Sequence, residues 1–513
     1  MNNKARFVPK KYSNNMKNYV SSQKVPMLEK IGYSMGDGAA NLAFQMMMMF
    51  QMFFYTDVFG IKATAAGTIL LVARLVDAFV DPVVGVIADR TQTKWGKYRP
   101  WVLWTALPFA VFFVLAFATP DMGERAKIIY AGITYTLLMS VYSFNNTPYS
   151  SLGGVMSSDI KERTSISTVR FVTATVATFI VQGLTLPLVS KFGNGEANDP
   201  KGWLWTIMLF AGVAAVLMVV TFFSSKERIS PPKDQKNDFK QDFIDLIGCL
   251  PWKSMFFLTL FLFITLALFG SAMSYYFNYY VDKQALHNFL INFGLVSVGE
   301  MTGWQNFLNL FGLISKPDLS NVFSVGYSFF NMIGQLITLA GVLFLSQFLS
   351  GKFGKRNVFI FCMILTTLFT SLFFFVDSKD IALIFVINIL KNAAYAPTIP
   401  LLWAMMGDVA DFSEWKNKRR ATGFCFAGIV FALKAGLGVG GAICGIIVAA
   451  FGYESNMVQS EHSLLGIRLT SSIIPAITFA IATSALFFYP ISKKFNIKMQ
   501  AELEERRNHH NKS

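Results

Sequence analysis

TKWGKYRPWVLW, residues Thr93–Trp104, and GKFGKRNVFIFC, residues Gly351–Cys362, are two versions of one pattern. Each runs from a short basic turn built on Gly-Lys into an apolar segment. Trp95-Gly96-Lys97 in the first answers Phe353-Gly354-Lys355 in the second. A second pair keeps the same order: SSDIKERTSIS at 157–167 resembles DFSEWKNKRRATG at 411–423. A chain that repeats itself in order over half its length is built from two similar halves.

Outward from these turns, long apolar runs alternate with short polar ones. Runs long enough to cross a bilayer fall at about 33–58, 64–88, 101–119, 127–152, 166–190 and 203–224. Six more fall at about 254–280, 322–350, 358–376, 380–407, 421–451 and 467–490. A bilayer span needs about 20 apolar residues of helix, because lipid-exposed backbone must satisfy its own hydrogen bonds. The expected fold is therefore an all-α membrane protein with twelve transmembrane helices in two six-helix halves, 33–224 and 254–490. A polar linker, 225–253, joins them, and tails at 1–32 and 491–513 flank them. Parallel repeats of this kind are what the major facilitator fold uses, with its substrate near the midplane between the halves.

Composition agrees. Of 513 residues 53% are hydrophobic and 15% charged, 52 are phenylalanine, and the mean hydropathy is +0.46. That excludes an ordinary soluble enzyme. The net charge of +15 does not point to nucleic acid, since the basic residues sit in short loops. With both termini cytoplasmic, 32 of the 45 lysines and arginines lie in cytoplasmic tails and loops and nine in outer loops. The positive-inside rule fixes that orientation in a plasma (inner) membrane. Four scattered cysteines form no CxxC, and the polar first 30 residues lack the apolar core of a cleavable signal peptide. Residues 285–315 are apolar enough to suggest another span, but Glu300 and glycines interrupt them, and a span there would reverse every later loop. They are expected to form an outer insertion, about 281–321, with one or two amphipathic helices.

The charges inside the spans are the functional signal. Arg74, Arg170, Lys391 and Lys434 are the basic ones; Asp37, Asp77 and Asp81 are the acids. In RLVDAFVDPVVG, residues Arg74–Gly85, the two aspartates are four apart and share one helix face, with Arg74 beside them. A carboxylate at the membrane midplane costs about 3 kcal/mol or more, so two together demand something positive. Asp37 and Asn41 share a face of the first helix. Tyr142, Ser143, Asn145 and Asn146 cluster before Pro148 on the fourth, a set of amides and hydroxyls suited to sugar hydroxyls. Lys391 has no motif around it and reads as a static charge that packs helices.

These motifs resemble the glycoside–pentoside–hexuronide:cation symporters, the melibiose-permease branch of the major facilitator superfamily. The resemblance rests on KIGYSMGDGAAN, FFYTDVFG, LVARLVDAFVDPVVG, TKWGKYRPW, NNTPYSSL, ERTSISTVR and GDVADFSEWK, and covers about 30–490. It implies that Asp77 and Asp81, with Ser143, bind the coupling cation. Oxygen ligands suit Na⁺, and a close carboxylate pair suits H⁺; either ion fits. The galactoside-binding acids of melibiose permease are replaced by Asn41 and Asn146, and the neighbour of the proline motif is Ser150. Arg170 and Lys434 are retained. The resemblance thus implies a sugar pocket of Asp37, Asn41, Tyr142, Asn146, Arg170 and Lys434, open to a neutral glycoside or to a hexuronide whose carboxylate Arg170 would hold in a fork. Asp89, Arg90, Lys97, Arg99, Asp408 and Arg420 are expected to form an inner gate. No cofactor beyond the coupling ion, no catalytic constellation and a working monomer are expected. The alternatives are a lysolipid-type carrier of the same family, disfavoured by the asparagine-rich helices, and a non-transporting membrane sensor, which would not need the aspartate pair.

Overall fold

The structure, a computed structural model, describes residues 24–157, 159–228, 246–297, 299–417 and 422–510. Every regular element among them is helical. In the first half α1 runs Met27–Met49, continues through Gln51–Phe53 and closes in a π turn, Phe54–Val58. It is followed by α2 (Ala63–Arg90), α3 (Arg99–Ala116), α4 (Glu124–Val155), α5 (Ile160–Phe192) and α6 (Pro200–Ser224). In the second half α7 runs Leu250–Tyr275 and also closes in a π turn, Tyr276–Tyr280. Then come α8 (Val322–Phe353), α9 (Lys355–Leu372), α10 (Ile381–Asn417), α11 (Thr422–Ala450) and α12 (Glu461–Phe488). A last helix, α13, covers Lys493–His510. Most of the expected linker lies outside the described residues.

Nine of these, α3 and α5 to α12, are long and apolar enough to cross a membrane. The remaining three long helices, α1, α2 and α4, carry more polar residues, and they carry Asp37, the aspartate pair and the asparagine cluster.

The packing repeats as the sequence does. α1 packs on α5 and α6, and α7 packs on α11 and α12. α3 lies against α4 and α6, and α9 against α10 and α12. The halves meet where α2 packs on α11 and α5 on α8, the same contact seen from each half. Even the turns match: Gly96 (φ 112°) and Gly354 (φ 84°) both take the left-handed backbone that favours glycine.

α11 sits close to both neighbours because its glycines present no side chain. A Cβ on Gly445 would stand 2.3 Å from the Ala63 carbonyl of α2, and one on Gly440 2.3 Å from the Ile264 carbonyl of α7. Small residues allow such approach where lipid supplies no hydrophobic drive between helices.

Two ends of the bundle can be told apart. One, the motif end, carries the repeated basic turns. The other carries the insertion, whose helices Lys283–Ile291 and Gly303–Asn309 are far shorter than the ~20 residues a span requires. The second begins in a reciprocal capping box, Thr302 with Gln305. The insertion is tied to the first half by Lys191, whose ammonium donates to the carbonyls of Asn309 (2.7 Å) and Leu310 (2.8 Å). One apolar core joins the first half to the insertion-end parts of α7, α8 and α11. A second, around Met255, Phe359 and Met405, belongs to the second half alone.

Candidate functional site

A cavity of about 1320 Å³ lies between the halves. From the first half it is lined by Asn41, Gln45, Tyr142, Asn146 and Ser150, and from the second by Asn331, Gln335, Asn388, Lys391 and Asn392. Amides thus face one another across it, among the rings of Phe44, Phe269 and Trp403. Such a lining offers paired donors and acceptors for hydroxyls and apolar faces for a sugar ring.

Asp81 and Lys434 border the same cavity. The Lys434 ammonium lies 2.8 Å from an Asp77 carboxylate oxygen and also pairs with Asp81. Asp77 is fully buried and accepts a hydrogen bond from the Ser143 hydroxyl; Lys434 stands 3.3 Å from that hydroxyl. Thr147 lies 3.4 Å from Asp81. The positive charge demanded by the aspartate pair therefore comes from α11, in the opposite half. Pro82 follows Asp81 inside α2. Lacking an N–H, it leaves the Ala78 carbonyl without its usual helical donor, and Ala78 is part of the cavity wall. Arg74, expected to help neutralise the pair, is turned instead over the Phe44 ring, 5.6 Å from its centroid, and no ion pair joins it to either aspartate among the described residues.

Asp37 and Arg170 are not among the residues that line the cavity. They form a bidentate pair, the second contact at 3.2 Å. The guanidinium lies over Tyr149 (5.0 Å) and Tyr33 (5.7 Å). Those rings stack at 4.7 Å, and each phenol donates to the other's backbone carbonyl at 3.0 Å. The fork expected to hold a substrate carboxylate is thus filled by Asp37, because an acid one helix away matches the guanidinium geometry. Asn41 donates to the Asp37 carbonyl (2.9 Å) from the cavity side. Lys391, read from sequence as a packing charge, has no acidic partner among the described residues; its ammonium lies 3.9 Å over the Phe269 ring.

Among the described residues, the bonds seen for those assigned to a gate stay within their own halves. Tyr98 donates to Asp89 at 2.8 Å, Arg99 to the Phe222 carbonyl at 2.8 Å, and Lys355 holds Asp408 at 2.7 Å. The Lys97, Tyr98 and Arg99 amides converge on Glu227 at 2.7–3.0 Å. Arg90 is exposed, and Arg420 lies outside the described residues. At the insertion end the halves are bonded to each other. Asp57, in the π turn of α1, accepts from Tyr279 in the π turn of α7 and from Tyr453 at 2.7 Å. Asn456 donates to its carbonyl at 2.8 Å, and Thr56 meets Tyr275 at 2.7 Å. Asp57 is 3% exposed and was absent from the sequence-based acids. The signal was there: FFYTDVFG places an acid in an otherwise apolar run. Among the described residues, hydrogen bonds join the two halves at the insertion end.

The model of a family described as MFS/sugar transport protein matches residues 32–316 and 319–493. The chain belongs to that family. Within it, the chain is 34% identical over 484 residues to the inner membrane symporter YicJ of Escherichia coli (strain K12), covering 94% of this chain and 96% of that one. It is 32% identical to the isoprimeverose transporter of Lactiplantibacillus pentosus, over 94% and 92% of the two chains. Among solved structures, the nucleoside transporter NupG superposes with a TM-score of 0.55 at 13% identity, over 90% of this chain and all of that one. The MFS/sugar transport family is thus supported by sequence, and the major facilitator fold by structure; the protein is an integral membrane protein.

Proposed function

We propose that this chain is a symporter that carries a sugar, glycoside or hexuronide into the cell with Na⁺ or H⁺, by alternating access. All twelve long helices span the plasma membrane, both termini are cytoplasmic, the insertion is outside, and the arrangement described above is the inward-facing one. No resident cofactor is needed, and the monomer suffices.

One observation carries this reading: an ammonium from one half pairs with two carboxylates of the other, one of them fully buried, at the edge of a polar cavity. The arrangement suits exchange. Asp77, Asp81 and the Ser143 hydroxyl offer hard oxygens to Na⁺, or a carboxylate to H⁺. Either ion makes Lys434 redundant and frees it to turn toward the sugar. Sugar and ion then favour each other's binding reciprocally. Closing the motif end would bring Asp89, Lys97, Arg99 and Asp408 within reach of the facing half, while the Asp57 latch opens.

The test uses reconstituted vesicles and a panel of glycosides, with and without a Na⁺ or H⁺ gradient. Asp77→Asn and Asp81→Asn should each abolish uphill accumulation, while equilibrium exchange persists at least in part because the cavity amides are untouched. Accumulation with normal ion dependence in both variants would reduce the aspartates to packing groups and end the symport reading.

A further inference from the structure

The charges around the cavity balance in all but one place. Arg170 is matched by Asp37. Lys434 lies on Asp77 and Asp81; Arg74, one turn before Asp77 on α2, is turned over Phe44 and makes no ion pair with them among the described residues, yet the formal charges of the four sum to zero. Lys391 remains. It projects from α10 into the cavity wall, and among the described residues its ammonium meets no acid and no hydrogen-bond acceptor, only the face of Phe269. A cation over a ring recovers only part of the hydration an ammonium loses.

The surroundings add further polar groups. The Asn331 amide nitrogen and the Tyr327 hydroxyl, one turn apart on α8 and both on the cavity wall, lie toward each other and meet no other partner among the described residues. Tyr327 is fully buried. Asn388 and Asn392 are already engaged: Asn388 donates to the Phe330 carbonyl at 2.8 Å, and Asn392 to Asn388 at 2.7 Å. They hold the wall in place and leave Lys391 uncommitted. An unmatched positive charge on the wall of a polar cavity marks the place of an anion supplied from elsewhere.

We propose that Lys391 is the subsite for a carboxylate on the transported sugar, as in a hexuronide, and that it sets the preference for acidic over neutral substrates. The inference rests on the sugar-symport reading above. It moves the anion contact from Arg170, whose fork is filled, to the opposite wall. A sugar spanning the cavity would place hydroxyls against Asn41 and Asn146 and its carboxylate on Lys391, so one ligand would touch both halves. The acid also offsets the extra positive charge that the coupling ion brings.

The experiment measures binding to the reconstituted full-length protein of three matched pairs, the methyl glucuronide with the methyl glucoside and the corresponding galacto and manno pairs. In at least one pair the wild type should bind the acid at least tenfold more tightly. Lys391→Gln should lower that acid-to-neutral ratio at least tenfold, and Lys391→Arg should restore most of it. The wild-type preference is read without any variant, so a poorly folding Lys391→Gln does not shield the proposal. A wild type that binds only neutral members overturns this inference and leaves symport standing. An unchanged ratio in Lys391→Gln overturns it as well. Binding of no pair member overturns both.

Discussion

Lys434 shows how a single side chain decides the state of the site. Removing one partner of a buried ion pair leaves the other charge stranded, at about 3–5 kcal/mol. Here two carboxylates would be stranded together. Lys434→Ala is therefore expected to lower the thermal midpoint of the detergent-solubilised protein by several degrees. Molar Na⁺ should recover more of the loss than choline at equal ionic strength, because Na⁺ can occupy the ammonium's place and choline cannot. Equal recovery by both salts would argue for screening alone. The sequence exposed half of this arrangement. Two aspartates one turn apart are a local pattern, readable from spacing within α2. Their partner lies in the other half of the chain, and no local period points to it. Arg170 shows the reverse: its presence was legible, but its commitment to Asp37 depends on how α1 and α5 turn toward each other.

Turns and helix ends carry the contacts at the two ends of the bundle, and their readability differed by kind. Gly96 was legible as part of a repeated turn, yet its partner Glu227 was hidden in a polar linker where one acid resembles another. A Cβ on Gly96 would lie 2.5 Å from the Glu227 carboxylate, at a φ of 112°. Gly96→Ala should cost about 1–3 kcal/mol for the backbone conformation, and more for the lost seat of the carboxylate. It is expected to reduce the folded yield and slow uptake, whereas Trp95→Phe on the exposed neighbouring position should do neither. At the other end, Asp57→Asn removes the charge that two phenols address. Since hydrogen bonds to a charged acceptor exceed neutral ones by about 1 kcal/mol, closure should weaken. An outside, membrane-impermeant thiol reagent should then label a cysteine introduced at Gln335 several-fold faster than in the Asp57 parent. An unchanged rate would make Asp57 an ornament of the seam. Several helices outrun their apolar runs: α5 starts at Ile160, α12 at Glu461 and α10 ends at Asn417, and α1 starts at Met27, where Lys30 and Glu29 are buried against Glu162 and Arg228.

For the molecule as a whole, the orientation argued from loop charge has a direct check. The native cysteines are buried, so Glu300→Cys and Lys352→Cys supply the reactive thiols. An impermeant reagent added to intact cells should label position 300 only, and inverted vesicles should reverse the result; labelling of both from one side would mean the count of spans is wrong. The pairing of α2 with α11 also has a consequence for how the chain is made. Synthesis proceeds at about 5–20 residues per second, so Lys434 emerges tens of seconds after Asp81. During that interval the nascent first half sits in the membrane with two acids and no lysine to meet them. It must wait protonated, half-inserted, or sheltered by the insertion machinery. Its three most polar helices, α1, α2 and α4, are those least able to partition into lipid unaided. The newborn protein is thus finished backwards: the last helices to arrive let the earliest ones settle, and a chain cut after α6 should be destroyed by membrane quality control rather than accumulate as a half-carrier.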